Sequence, residues 1–130
     1  MIDLERTLQE LHRAGVEFII VGGVAATIHG SARLTQDLDL VYARTPENIV
    51  RLAAALEPHS PYLRGAPPGL PFRWDAETIR RGLNFTLTTA LGDLNLLGEI
   101  VGGGGYADLL PDTQVVKLAG ASTDVLGSRV

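Results

Sequence analysis

Thr35-Gln36-Asp37-Leu38-Asp39-Leu40-Val41 is the stretch on which the reading of this chain turns. Two aspartates stand two residues apart in a run that otherwise reads as a β-strand. Side chains alternate faces along a strand, so Asp37 and Asp39 share one face, with Cα atoms roughly 6.5 Å apart. Leu38 and Leu40 take the opposite face and can enter a core. Asp is depleted in strands, yet this pair lies in an apolar run that continues through Val41 and Tyr42. An Asp-x-Asp pair at a strand end also occurs as a solvated face or a turn entry. Like charges this close repel unless something neutralises them. A hard divalent cation such as Mg²⁺ (or Mn²⁺) is the simplest neutraliser, and it keeps positions open for substrate phosphates. Metals held this way can clamp the oxygens of a phosphoryl or nucleotidyl transfer.

The residues before the pair extend the argument. Glu17-Phe18-Ile19-Ile20-Val21 reads as a strand, ended by Gly22-Gly23. Val24 to Gly30 reads as a short helix closed by its glycine. Glycines at a strand-to-helix turn let the backbone approach a phosphate, and a helix start offers free N–H groups. A Gly-Gly turn is also an ordinary tight corner; its place before Asp-x-Asp favours the phosphate reading. Arg33 can hold a phosphate bidentately or be a surface arginine. Thr35 can bond a phosphate or cap the strand entry.

This ordered set resembles a known signature. Val21-Gly22-Gly23, a short helix, then Arg33-x-Thr35-x-Asp37-Leu38-Asp39-Leu40 is similar to that of the nucleotidyltransferase superfamily, the DNA polymerase β-like fold. With His29-Gly30 included, it resembles the small bacterial members, the minimal nucleotidyltransferases and relatives of abortive-infection toxins. The signature covers residues 21 to 41. Phe85 to Thr89 and Gly92 to Gly98 resemble the later strands of the same family. The resemblance implies a third carboxylate on such a strand, between apolar neighbours. The matching position here is Asn95, between Leu94 and Leu96; it can offer a carbonyl oxygen but carries no charge. Asp93, two residues earlier on the same face, can substitute for it or be a turn residue after Gly92.

The expected fold is α/β: a mixed, twisted sheet with helices 3–14, 24–30 and 46–56 packed on it, in one nucleotidyltransferase-like domain over residues 1–130. The family usually continues into a further strand and helix, so the resemblance implies a C-terminally short chain. The expected function is metal-dependent transfer of a nucleoside monophosphate from an NTP to an acceptor, with Asp37 and Asp39 as Mg²⁺ ligands. Gly22 and Gly23 cradle the triphosphate, with Arg33 and Thr35 as further nucleotide contacts. Asn95 or Asp93 stands at the third catalytic position, and activity is weakened if Asn95 fills it. The acceptor stays open among protein, tRNA and a small molecule such as an aminoglycoside. The alternative is a binding or regulatory module that kept the fold and lost turnover, for example one half of a toxin–antitoxin pair with a helical partner protein. A nucleotide-sugar glycosyltransferase also uses Asp-x-Asp, but 130 residues leave little room for a separate acceptor domain.

Composition agrees with one globular domain. Apolar content is 45%, charged content 20% and net charge −4, all ordinary for such a domain and too acidic to advertise a nucleic-acid surface. The absence of cysteine excludes disulfides and thiolate zinc sites. No run is apolar enough to cross a bilayer and no signal peptide is recognisable, so the cytoplasm is the default compartment. Leu4, Leu8 and Leu11 set the first helix. Thr45-Pro46 starts another, with Ile49, Leu52, Ala53 and Leu56 as its buried stripe. Five of the seven prolines fall in 58–71, which reads as a loop. Asp75 caps a short helix ending at Gly82. Strands are expected over 84–90 and 93–100 as a hairpin, at 113–118, and from 123 onward, with Gly102 to Gly105 a flexible turn. His12, His29 and His59 have no metal-spaced partners. Arg64, Arg73, Arg80 and Arg81 read as a scattered, solvated set, or as the lining of an acceptor or RNA groove.

Overall fold

Asp3 opens the first helix, accepting a hydrogen bond from the Arg6 N–H at 3.1 Å. The side-chain oxygen there satisfies a donor that the helix start leaves free. Helix α1 runs Leu4–Arg13 and buries Thr7, Leu8 and Leu11. The computed structural model describes residues 2–29 and 37–127. Strand β1 is Phe18–Val21, helix α2 Gly22–Ile28, strand β2 Asp37–Tyr42 and helix α3 Pro46–Leu56. Thr45 caps α3 and Pro46 occupies its first turn, where a missing N–H costs nothing. There follow β3 Tyr62–Leu63, α4 Ala76–Arg81 capped by Asp75, and the hairpin β4 Phe85–Thr89 and β5 Gly92–Leu97. A small ribbon pairs β6 Glu99–Ile100 with β7 Gly104–Gly105 and leads into α5 Tyr106–Leu109. Strands β8 Thr113–Leu118 and β9 Ala121–Leu126 form a closing hairpin.

Seven strands make one mixed sheet, in the order β3-β4-β5-β2-β1-β9-β8. Strand β2 pairs antiparallel with β1 and parallel with β5, so it lies near the centre. One face of the sheet is apolar throughout. Leu38, Leu40, Tyr42, Leu94 and Leu96 point into a core completed by Leu8 and Leu11 of α1, Ile49, Leu52 and Leu56 of α3, and Ile79 of α4. The opposite face is divided. Ile19, Val21 and Val41 form a small apolar patch under Leu109 of α5, while Asp37, Asp39, Asp93 and Asn95 share the rest of that face by strand alternation. Helices α1, α3 and α4 thus cover one side, and α5 covers only part of the other, leaving a polar area there.

Three expectations change. Helix α2 starts at Gly22, so the two glycines form its first turn rather than a corner before it. Glycine's poor helix propensity makes that start invisible to pattern reading. The proline-rich segment is not all loop, since Tyr62 and Leu63 pair with Thr88 and Leu87. Gly104 and Gly105 are paired as well, and Gly105 is the N-cap residue of α5. Arg33 and Thr35 lie outside the described residues.

Asn48 fastens α3 to the sheet. It is fully buried, accepts from the Glu17 N–H at 2.6 Å, and donates to the carbonyls of Glu17 at 3.0 Å and Ala43 at 2.8 Å. Asn48→Ala takes this partner from the Glu17 N–H and the Ala43 carbonyl, while the Glu17 carbonyl keeps the Ala43 N–H at 3.2 Å, and losing a buried partner is costly. We expect a loss of about 3 kcal/mol in urea unfolding; a loss below about 1 kcal/mol, the net worth of one ordinary hydrogen bond, would contradict this role.

Candidate functional site

The acidic area follows from the register between two parallel strands. Asp37 lies opposite Asp93, and Asp39 opposite Asn95. All four side chains are half-buried, while Leu38, Leu40, Leu94 and Leu96 between them are sealed in the core. The apolar residues therefore fix the strands, and alternation presents the polar ones together.

The Asn95 amide joins the two aspartates. Its Nδ2 donates to Asp37 Oδ2 at 2.8 Å and to Asp39 Oδ1 at 2.6 Å. Its Oδ1 is buried and, among the described residues, has no hydrogen-bond partner. Burial of the Asp39 carboxyl raises its pKa above the ordinary value; the Asn95 hydrogen bond opposes that shift, the Asp37 charge adds to it, and Arg64 opposes it.

Gly22 is fixed by the same carboxylate. Its φ is +70°, and a Cβ there would stand 2.1 Å from Asp39 Oδ2. Left-handed backbone costs a residue with a side chain about 1–2 kcal/mol, and the carboxylate would also have to move. Gly22→Ala is expected to lower the melting temperature and to weaken Mn²⁺ binding at Asp39, read by thermal unfolding and by paramagnetic resonance of free Mn²⁺. Unchanged Mn²⁺ affinity would show that the close approach of Gly22 to Asp39 has no bearing on the site.

The arginine that sequence reading set aside stands in the site. Arg64 Nη2 donates to the Leu87 carbonyl at 2.8 Å. Its Nη1 lies 3.8 Å from Asp37 Oδ2, and its Nε lies 3.5 Å from Asp93 Oδ2. Its backbone N–H donates to the Thr86 carbonyl at 3.0 Å, which continues the β3–β4 pairing. No local pattern carries this placement, because it depends on a two-residue strand pairing across the proline-rich segment. Arg80 and Arg81 pair instead with Glu77 on α4.

The donor set fits a hard divalent cation. Two carboxylate oxygens face one shared point, now held by an amide nitrogen, and oxygen is the ligand type that Mg²⁺ takes. Among the described residues no three His, Cys, Asp or Glu side chains are grouped to hold a metal, so a third protein ligand would come from Asn95. A half-turn of its amide exchanges Oδ1 for Nδ2, and which atom faces the aspartates is set by the hydrogen-bond network.

His29 accepts no site role: its Nε2 lies 2.9 Å from the Leu126 carbonyl and ties α2 to β9. Among the described residues no helix is long and apolar enough to cross a membrane. Compared with protein-family models and with curated proteins, the chain matches none.

Proposed function

We propose that this chain is a metal-dependent nucleotidyltransferase, moving a nucleoside monophosphate from an NTP to an acceptor hydroxyl. The observation that carries the reading is the convergence of Asp37 and Asp39 on one point, beside Gly22 and opposite Asp93 and Asn95. Asp37 and Asp39 would hold Mg²⁺, with Asn95 Oδ1 as a neutral third ligand. The bound cation would supply Lewis-acid stabilisation of phosphate oxygens.

The remaining work falls to the chain's own residues. The first turn of α2, at Gly22 and Gly23, carries no side chains, and Gly22 lies against Asp39, so a phosphate could approach the backbone there. In the transfer the acceptor oxygen bonds the α-phosphorus, the bond to the bridging oxygen breaks, and pyrophosphate leaves. The acceptor's proton goes to a base. Asn95 is no base, and Asp93 is the nearest spare carboxylate on the same strand face, held by Arg64.

One observation favours a second reading. The Asn95 amide already bridges the aspartate pair by two short hydrogen bonds, as suits a module that kept the fold and lost turnover, such as one half of a toxin–antitoxin pair.

Calorimetric titration with ATP, GTP, CTP and UTP, with and without Mg²⁺, tests the proposal. We expect Mg²⁺ to strengthen binding of at least one NTP, and a UDP-sugar with Mg²⁺ or Mn²⁺ to bind more weakly. Preference for the UDP-sugar would move the chain to the glycosyltransferase class, and binding of neither would remove the nucleotide reading.

A further inference from the structure

Arg64 sits across Asp37 and Asp93, of which Asn95 bonds only Asp37. The guanidinium spans Asp37 and Asp93 at 3.8 and 3.5 Å, too long for hydrogen bonds but close enough for charge attraction. Among the described residues its single side-chain hydrogen bond is the one to Leu87, and its Nε is buried without any. Arg64 is therefore held in place by its anchor and by charge, with donors to spare. The three carboxylates of Asp37, Asp39 and Asp93 against one guanidinium leave two negative charges, the charge of one divalent cation. Asn95, opposite Asp39 in register, is a neutral amide and adds no charge to this count.

We propose that this is a one-cation site in which Arg64 supplies the second positive charge, standing over Asp37 and Asp93 and turning its free donors to the phosphates of the nucleotide. The inference rests on the nucleotidyltransferase reading. Chemically, guanidinium and metal ions serve the same end on a transferring phosphoryl group, a fixed positive charge aimed at its oxygens. Arginine adds a planar fork that matches two phosphate oxygens at once. In the nucleotide-free chain, two cations set about 4 Å apart would add four positive charges to a cluster that offers two negative ones, and Arg64 would repel the nearer.

Arg64 has opposite effects on the two ligands, which separates this role from a structural one. Against a cation at Asp37 it is a like charge; toward a triphosphate it is a partner. Arg64→Gln is expected to tighten Mn²⁺ about tenfold, the loss of one partly screened repulsion. It is expected to weaken the tightest-binding NTP about tenfold to a hundredfold at saturating Mg²⁺, the loss of charge-assisted hydrogen bonds. Arg64→Lys keeps the charge and the Leu87 anchor in part, so Mn²⁺ affinity should stay near wild type while NTP affinity falls severalfold. Circular dichroism of each variant checks the fold.

The count is read by titrating the wild-type chain with Mn²⁺ and following free Mn²⁺ by electron paramagnetic resonance. We expect one Mn²⁺ per chain. Two Mn²⁺ per chain would overturn the one-cation inference and leave the nucleotidyltransferase reading standing. No Mn²⁺ at all would overturn both. One Mn²⁺ with NTP affinity unchanged in Arg64→Gln, or with both affinities falling together, would overturn the role given to Arg64.

Discussion

Replacing both Asp37 and Asp39 by asparagine is expected to abolish the whole gain in NTP affinity that Mg²⁺ confers. Each substitution keeps the shape of the side chain and removes the charge that a hard cation requires. The two oxygens that now converge on Asn95 Nδ2 would remain as neutral carbonyls, able to accept that hydrogen bond but not to hold Mg²⁺ firmly. The fold is expected to survive. Leu38 and Leu40, which fix β2 in the core, are untouched. The substitution also removes two neighbouring like charges, one of them on a carboxyl whose charged form burial disfavours. The melting temperature should therefore hold or rise. Calorimetry on wild type and the double variant checks the result; an equal Mg²⁺ effect in both would remove Asp37 and Asp39 from the metal site.

Asn95→Asp is expected to raise turnover. A carboxylate at residue 95 would complete three acidic side chains around one point and supply a base for the acceptor hydroxyl. General-base assistance contributes ~10²- to 10⁴-fold, so the variant should outpace wild type by a margin in that range. By side-chain size alone the exchange is nearly neutral for folding. The hydrogen bonds correct this: Asn95 Nδ2 is the donor that holds the two aspartates together. Replacing it by an acceptor sets three negative charges at hydrogen-bond distance. Without Mg²⁺ the variant is expected to lose about 2 kcal/mol of stability, the worth of a hydrogen bond to a charged group. Saturating Mg²⁺ should restore that loss, since a ligand that binds only the folded state stabilises it. Brisk wild-type transfer with no gain in Asn95→Asp would contradict the assignment. If Asp93→Asn then abolished that transfer, Asp93 would be the third carboxylate.

The site was legible in sequence wherever strand alternation governs it. Apolar Leu38 and Leu40 alternate with Asp37 and Asp39, and Leu94 and Leu96 with Asp93 and Asn95. Each run states which side chains share a face. That β2 and β5 are neighbours came only from likeness to a known signature, since pairing across more than fifty residues leaves no local trace. The caps at Thr45 and Asp75 were legible because each is a single side-chain bond to a nearby N–H. The start of α2 was not, because two glycines read as a turn, and Gly22 enters the helix in the left-handed region against Asp39. Arg64 was missed for a related reason. Its position follows from the pairing of Tyr62 and Leu63 with β4, and no periodicity marks a strand of two residues among prolines.

The central claim is that an NTP is cleaved at its α-phosphorus here and the nucleoside monophosphate carried to an acceptor. It is tested most directly by supplying α-labelled and γ-labelled NTP in parallel, with Mg²⁺ and a bacterial extract as the acceptor source, to wild type and Asn95→Asp. The account predicts label on an acceptor from the α-labelled NTP only, release of labelled pyrophosphate from the γ-labelled one, and a faster reaction in Asn95→Asp. Transfer of the γ-label, or no α-label on any acceptor with either protein, would contradict it.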